Sequence, residues 1–353
     1  MSDPVVSLPH VTVCVPAFNA ERTLRGTLDS ILAQDYPNFN VLVCDNASTD
    51  NTAQIAKEYA GLNVRYVLNP VRGPFAESNW NNVLGLAEGP LIALYHADDL
   101  YTQTMVQRQV EFLQAHADAS AVFTMTRMIN EQDRPIRLGT TRLPKELRGR
   151  ECFEFQMLFN AVLEYCNFLT VPTLMTKREA LDAVGVFDLR FRTAADIDLW
   201  LRLSRLGAVG IIDEPLHRYR ISAQQGSAQI NRMRTVMADF FQVINDYLAR
   251  PEMSQIVQPD ALACYEMDLA IDSMFCAMNL LVQGDTVKAM ARLKEAMQWR
   301  HFRTACRRPR RRPHLIAGAG LFVMGSLGAG AFAGHCLHWA YQLLQQWRRK
   351  CIT

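Results

Sequence analysis

The first hundred residues constrain this chain most, because short β-branched runs alternate there with longer stretches of helical spacing. Residues 10–16, 40–44, 64–68 and 90–95 read as strands. Between them, 20–34 places Leu24, Leu28, Ile31 and Leu32 on one helical face. A second helix carries Ile55, Ala56 and Tyr59 behind a cap at Thr49 or Asp50, and a third covers 75–86. Parallel strands need a crossover rather than a tight turn, so this rhythm predicts a mainly parallel sheet with helices on both faces. Such sheets bind ligands at the carboxyl ends of their strands. The polar clusters fall at those ends: Asn19 after the first strand, Asp45 and Asn46 after the second, Asp98 and Asp99 just after the fourth.

Further along, 168–175 reads as a strand and 177–184 as a helix. A second helical pattern over 196–206 carries Ile197, Trp200, Leu201 and Leu203. Residues 228–300 read as all helical. With 353 residues the chain can bury one large or two smaller cores. A formal net charge of +2 with 20% charged residues argues against a nucleic-acid partner. Nine cysteines are scattered from Cys14 to Cys351 with no CxxC pair, which predicts a reducing compartment. Residue 11 already begins a core strand, with no basic-then-apolar leader before it, so the main domain is expected to be cytosolic.

Chemistry enters with the carboxylates. A nucleoside diphosphate group has to be neutralised, and a chain without a glycine-rich phosphate loop can do so with a divalent cation held by carboxylates. The pair in Tyr95-His96-Ala97-Asp98-Asp99-Leu100 suits that task, because a strand end fixes both side chains in the crevice. A helix cap ahead of 102–113 is the other reading of the same residues. Residues 45–50 likewise read as a turn and cap as well as a ligand-facing segment.

The order of motifs resembles the family 2 inverting glycosyltransferases. It runs Val13-Cys14-Val15-Pro16-Ala17-Phe18-Asn19, then Cys44-Asp45-Asn46-Ala47-Ser48-Thr49-Asp50, then Ala97-Asp98-Asp99. Val184-Gly185-Val186-Phe187-Asp188, then Asp196-Ile197-Asp198-Leu199-Trp200-Leu201-Arg202-Leu203, and the Gln224-Gln225-Gly226-Ser227 region continue it. The stretch 73–84, with Asn79-Trp80-Asn81, resembles a branch that elongates bacterial surface polysaccharides. The resemblance implies a GT-A nucleotide-sugar-binding fold over 1–225, a helical extension over 226–305, and inverting transfer of a sugar onto a growing, lipid-linked glycan.

Position by position, the resemblance implies that Pro16, Ala17, Phe18 and Asn19 line the nucleotide pocket and that Asp45 accepts a hydrogen bond from the base or ribose. Asp98 and Asp99 match the metal and ribose carboxylates, with Mn2+ or Mg2+ as the cation, and one of the two is its direct ligand. Asp196 matches the general base, a role that suits a carboxylate at a helix N-terminus. Asn79 and Asn82 are candidates to line the donor site, while Arg72 and Arg192 read as diphosphate partners or as solvated surface arginines. Three positions depart from the family pattern. His96 stands where the longer aspartate motif begins, Ala195 replaces a Glu before the base, and Ser222 stands where a metal-binding His is frequent. His217 is a substitute ligand or, in the plainer reading, a surface or packing histidine. A polyprenyl-phosphate glycosyl synthase and a non-catalytic scaffold of an assembly complex are the alternatives.

The last segment, 306–353, changes character. Five arginines within 307–312 precede the twenty uncharged residues 315–334, which hold six glycines. That length is enough to cross a hydrocarbon core, and the flanking cations favour the cytoplasmic side of the inner membrane for the enzyme. Lying along the membrane surface, or forming a buried helical hairpin, are the other readings.

Overall fold

The computed structural model of the chain describes residues 8–73, 75–221, 233–307, 312–330, 332 and 334–338. The 224–227 motif and Ser222 lie outside the described residues. Ten strands are β1 (Val11–Ala17), β2 (Phe39–Asp45), β3 (Val64–Leu68), β4 (Leu91–Leu94), β5 (Leu100–Tyr101), β6 (Ala119–Ile129), β7 (Pro135–Thr140), β8 (Cys152–Phe153), β9 (Leu174–Lys177) and β10 (Ala208–Arg220). They form one sheet in the order β3-β2-β1-β4-β9-β6-β10-β5, with β7 on β6 and β8 on β10. The helices of this half are α1 (Leu24–Leu32), α2 (Thr52–Glu58), α3 (Ala76–Leu86), α4 (Met105–Ala115), α5 (Phe155–Tyr165), α6 (Arg178–Val184) and α7 (Ala195–Leu206).

Strands β1 to β4 pair in parallel, as do β6 and β10. Antiparallel β9 joins the two parallel groups. It starts at Leu174 rather than 168, because Val171–Thr173 makes a 3-10 turn around Pro172, and proline has no N–H for a ladder. Val11, Val13 and Val15 of β1 are fully buried in one cluster with Leu24, Leu28 and Ile31 of α1. Each contributes about 1.5–3 kcal/mol by leaving water, and together they fix the strand ends from which the polar loops rise.

The chain divides into two compact units: Met1–Leu158 with Asn167–Ile221, and Phe159–Cys166 with Ser222–Thr353. The second unit takes in residues on both sides of 305. Its described helices are α8 (Asp239–Leu248), α9 (Met253–Ile256), α10 (Pro259–Val282), α11 (Thr286–Ala296), α12 (Trp299–Arg307) and α13 (Arg312–Ser326). Met267, Met274, Leu281, Leu293 and Leu321 share one buried core there.

The membrane-spanning reading of 315–334 does not hold. Helix α13 stops at Ser326, and Gly328 takes a left-handed φ of 79° as the Ala329 N–H turns back to the Met324 carbonyl. Fifteen helical residues reach about 22 Å at helical rise, short of the roughly 30 Å of a hydrocarbon core. Gly318, Gly325, Gly330 and Gly334 serve close packing inside the unit instead. A Cβ on Gly318 would fall 2.3 Å from the Met274 sulfur, and one on Gly334 would fall 2.8 Å from the Leu281 Cβ. Among the described residues no helix is long and apolar enough to cross a membrane.

Candidate active site

The carboxyl ends of β2, β1 and β4 stand side by side. Ala17 is in register with Asp45, and the Tyr95 N–H donates to the Cys14 carbonyl at 2.8 Å. Three polar segments rise from these edges: 16–21, 45–52 and 96–99.

The first two hold each other. Pro16 and Ala17 are buried at the end of β1, while Phe18 and Asn19 reach the surface. Asn19 adopts a left-handed φ of 46°, a conformation its short amide side chain tolerates. Its Oδ1 accepts from the Thr49 N–H at 2.9 Å, and its own N–H donates to Ser48 Oγ at 2.9 Å. The Ala20 N–H donates to Thr52 Oγ1 and the Glu21 N–H to Asp50 Oδ2. Asp45 is 1% exposed; one oxygen accepts from the N–H and hydroxyl of Ser48, the other from the Tyr66 hydroxyl at 3.0 Å. The turn reading of 45–50 therefore describes its geometry, and what the turn holds is the 16–21 loop.

Asn79 requires a correction. Its Nδ2 donates to the Cys44 carbonyl at 2.8 Å and its Oδ1 accepts from the Cys44 thiol, at 3% exposure. Both ends of its amide are thereby engaged, pinning α3 to β2 inside the core. Asn82 is exposed. The guanidinium of Arg72 lies 3.9 Å from the Phe18 ring centroid and that of Arg192 lies 5.2 Å from Phe75, so both are cation–π partners of aromatic rings.

The adjacent carboxylates have opposite surroundings. Asp99 is fully buried, and its two oxygens accept from His217 Nε2 at 2.9 Å and from the Arg220 N–H at 2.8 Å. Each oxygen thus carries one hydrogen bond from the chain and keeps a second lone pair. The structure also overturns the surface reading of His217, which is fully buried with its Nδ1 against Thr126 Oγ1 at 3.0 Å. The turn is held from a second side, since Thr27 donates to the carbonyls of Ala97 and Asp99 and Arg220 Nε donates to the carbonyl of Asp98. Asp98 keeps its carboxylate free of side-chain partners among the described residues. Burial, then the charge of Asp99, push its pKa up to about 7. Burial pulls His96 down to about 4 against the charge of Asp99.

These residues fit a divalent cation. One ring nitrogen of His96 and one oxygen each from Asp98 and Asp99 lie within 4.8 Å of one another, and His96 Nε2 is buried without a hydrogen-bond partner. A cation there would meet both the crowded charge and the orphaned nitrogen.

Asp196 sits in the first turn of α7, where the helix dipole favours its anion. Burial nevertheless raises its pKa to about 6, against hydrogen bonds from the Ile197 N–H and from Asn167 Nδ2 at 2.7 Å. A carboxylate poised near neutrality suits a general base. With Ala195 beside it, Asp196 takes its side-chain partner from Asn167. Nothing in the sequence marks this pair, whose members are 29 positions apart. A file of rings links the two carboxylate regions: His96 to Trp80 at 5.3 Å, Trp80 to Phe187 at 5.2 Å, and Phe187 to Trp200 of α7 at 6.2 Å.

Comparison with known proteins agrees with this geometry. The profile described as Glycosyl transferase family 2 matches residues 12–185. Putative glycosyltransferase EpsE of Bacillus subtilis is 31% identical over 218 residues, covering 60% of this chain and 73% of that one. The Escherichia coli UDP-Glc:alpha-D-GlcNAc-diphosphoundecaprenol beta-1,3-glucosyltransferase WfaP is 25% identical over 233 residues, covering 64% and 82%. In fold, the chain is similar to the mannosyltransferase PcManGT of Pyrobaculum calidifontis, solved with GDP-Man and Mn2+, at a TM-score of 0.54 and 19% identity over 95% of this chain and 88% of that one. It is also similar to S. aureus TarS 1-349 in complex with UDP-GlcNAc, at a TM-score of 0.53 and 17% identity over 85% and 92%. With relatives named for glycosyl transfer and a GT-A sheet carrying the motifs at its strand ends, this chain belongs to glycosyltransferase family 2.

Proposed function

We propose that this glycosyltransferase moves one sugar from a nucleotide-sugar donor to a hydroxyl of a growing, lipid-linked glycan, with inversion at the anomeric carbon. The observation that carries the reading is Asp196: a carboxylate at a helix start, lifted to about 6 and oriented by Asn167. It takes the proton of the acceptor hydroxyl as that oxygen attacks the anomeric carbon. The bond to the nucleoside diphosphate breaks on the opposite face. Asp98 holds a divalent cation, which when bound neutralises the charge gathering on the departing diphosphate. The 16–21 loop, held by 45–52, lines the nucleotide side, with Phe18 at the surface.

A lipid-linked acceptor is supported by the relative WfaP, which is named for transfer to a GlcNAc-diphosphoundecaprenol. The cytosolic face of the cell membrane is the proposed place of action, where a nucleotide-sugar donor and such a lipid meet; the free state of the described cysteines suits a reducing compartment. The test is transfer from UDP-glucose to a synthetic GlcNAc-diphospholipid, together with calorimetric binding of UDP, dTDP and GDP with and without Mn2+. Metal-dependent binding of one nucleotide, with transfer that Asp196→Asn abolishes while nucleotide binding persists, is the expected result. Equal turnover by Asp196→Asn overturns the base assignment.

A further inference from the structure

We propose that His96 is a direct nitrogen ligand of the cation, so that this site holds a borderline transition metal in preference to Mg2+. The inference rests on the reading that a divalent cation binds at Asp98.

Three observations lead to it. The first concerns donors. Asp99 lies in the cluster, but each of its oxygens already accepts one hydrogen bond, from His217 and from the Arg220 N–H, so Asp98 is the carboxylate of the 96–99 turn without a side-chain partner among the described residues. A nitrogen donor from the same turn would add to a set of carboxylate and diphosphate oxygens that by itself suits Mg2+. The second is the ring itself. His96 has one nitrogen within 4.8 Å of the carboxylate oxygens, and its Nε2 is shut from solvent with no partner. Leaving a buried polar nitrogen unsatisfied costs about 1–3 kcal/mol, so a site that keeps it gains elsewhere. Two ligand atoms on one ion stand at most about 4.2 Å apart when each bond is about 2.1 Å, and small side-chain rotations close the difference.

The third observation is that the ring is held in place. The Tyr101 hydroxyl accepts from the His96 backbone N–H at 2.6 Å and donates to its backbone carbonyl at 3.2 Å, which fixes the backbone that carries the ring. The Trp80 ring lies against the imidazole, tilted by 31°. A preorganised imidazole beside a single free carboxylate is a mixed nitrogen–oxygen set. Such sets favour metals such as Co2+ and Zn2+ and disfavour Mg2+, which prefers oxygen and dehydrates reluctantly.

The experiment is pulsed electron paramagnetic resonance on the untagged full chain with Mn2+ and UDP. Nitrogen modulation from a bound imidazole is expected. His96→Asp should retain Mn2+ and lose that modulation. In parallel, the ratio of Co2+ to Mg2+ affinity should fall by about tenfold or more in His96→Asp, because a carboxylate replaces the imidazole. Mn2+ bound to the unsubstituted chain without nitrogen modulation, or modulation that survives in His96→Asp, overturns the proposal and leaves the cation at Asp98 standing. No Mn2+ binding at all, with or without UDP, overturns both.

Discussion

The turn at 96–99 and the helix start at 194–197 each hold a half-buried carboxylate, and they do it by opposite means. At the turn, one acid is given up to hold the other. Asp99 is fixed by His217 and by the Arg220 N–H, both from β10, and Asp98 is left free beside it. At the helix start a single acid is held by its own helix and by one amide, Asn167. Both acids are lifted, Asp98 to about 7 and Asp196 to about 6, chiefly by burial. Two adjacent acids can thus divide into a ligand and a clamp, whereas a lone acid needs an outside group to orient it.

The sharpest test of that contrast is Asp196→Asn, expected to lower kcat by about 10³-fold, within the range of general-base contributions. Nucleotide affinity should stay, as calorimetry would report. The same substitution should raise thermal stability above pH 6. The folded pKa is raised, so ionising the carboxylate costs the fold free energy progressively as the pH rises from about 4 to about 6, and the cost is complete above that. Below about pH 4 the advantage should vanish. A variant no more stable at pH 8 would mean that Asp196 is not desolvated as described.

Next in size, Asp98→Ala should weaken Mn2+ affinity by about 100-fold, read by titration in the presence of UDP. Asp99→Asn should act differently, through stability first. His217→Ala probes the clamp from the other side: it leaves a buried carboxylate short of a partner and should cost about 1–3 kcal/mol in denaturant unfolding. If His217→Ala unfolds like the unsubstituted chain and Asp99→Asn loses only metal, the division into ligand and clamp is wrong. The smallest effect expected is from Asn167→Ala, about tenfold in kcat. Its clearer mark is the pH profile. In the unsubstituted enzyme kcat should fall tenfold per pH unit below about 6. Loss of the Asn167 hydrogen bond removes support for the anion, so that limb should move to higher pH. An unmoved limb would assign Asn167 to packing alone.

Much of this could be read from the sequence, for a physical reason. Strands β1 to β4 and their helices announce themselves by period, and Val64–Leu68 was expected at its observed bounds. Asp98 and Asp196 were named because a family pattern marks them. The part His217 plays in holding Asp99 was not legible, since the two lie 118 positions apart and no local rule joins them. Strand β10 hides for another reason: Asp213, Glu214 and Pro215 interrupt its alternation at a shift in register. The C-terminal run was misjudged because an uncharged, glycine-rich helix looks the same whether lipid or Met274 and Leu281 lie against it. Asn79 was misplaced because a polar residue near a ligand crevice was taken to face it, whereas its amide serves the Cys44 backbone.

The course of β10 bears on how such enzymes diverge. From the base at Asp196 the chain runs through α7, turns at Gly207, and follows β6 until the Arg220 N–H reaches Asp99. The turn has no slack, since a Cβ at Gly207 would fall 2.4 Å from the Asp118 carbonyl. Adding or deleting one residue along the strand would send each later side chain to the other face of the sheet. It would also carry the donor away from Asp99. Residues 196–220 therefore set the spacing between the proposed base and the turn proposed to hold the cation. Homologous sequences should align across this span without gaps, and changes of length that retune the acceptor should accumulate outside it.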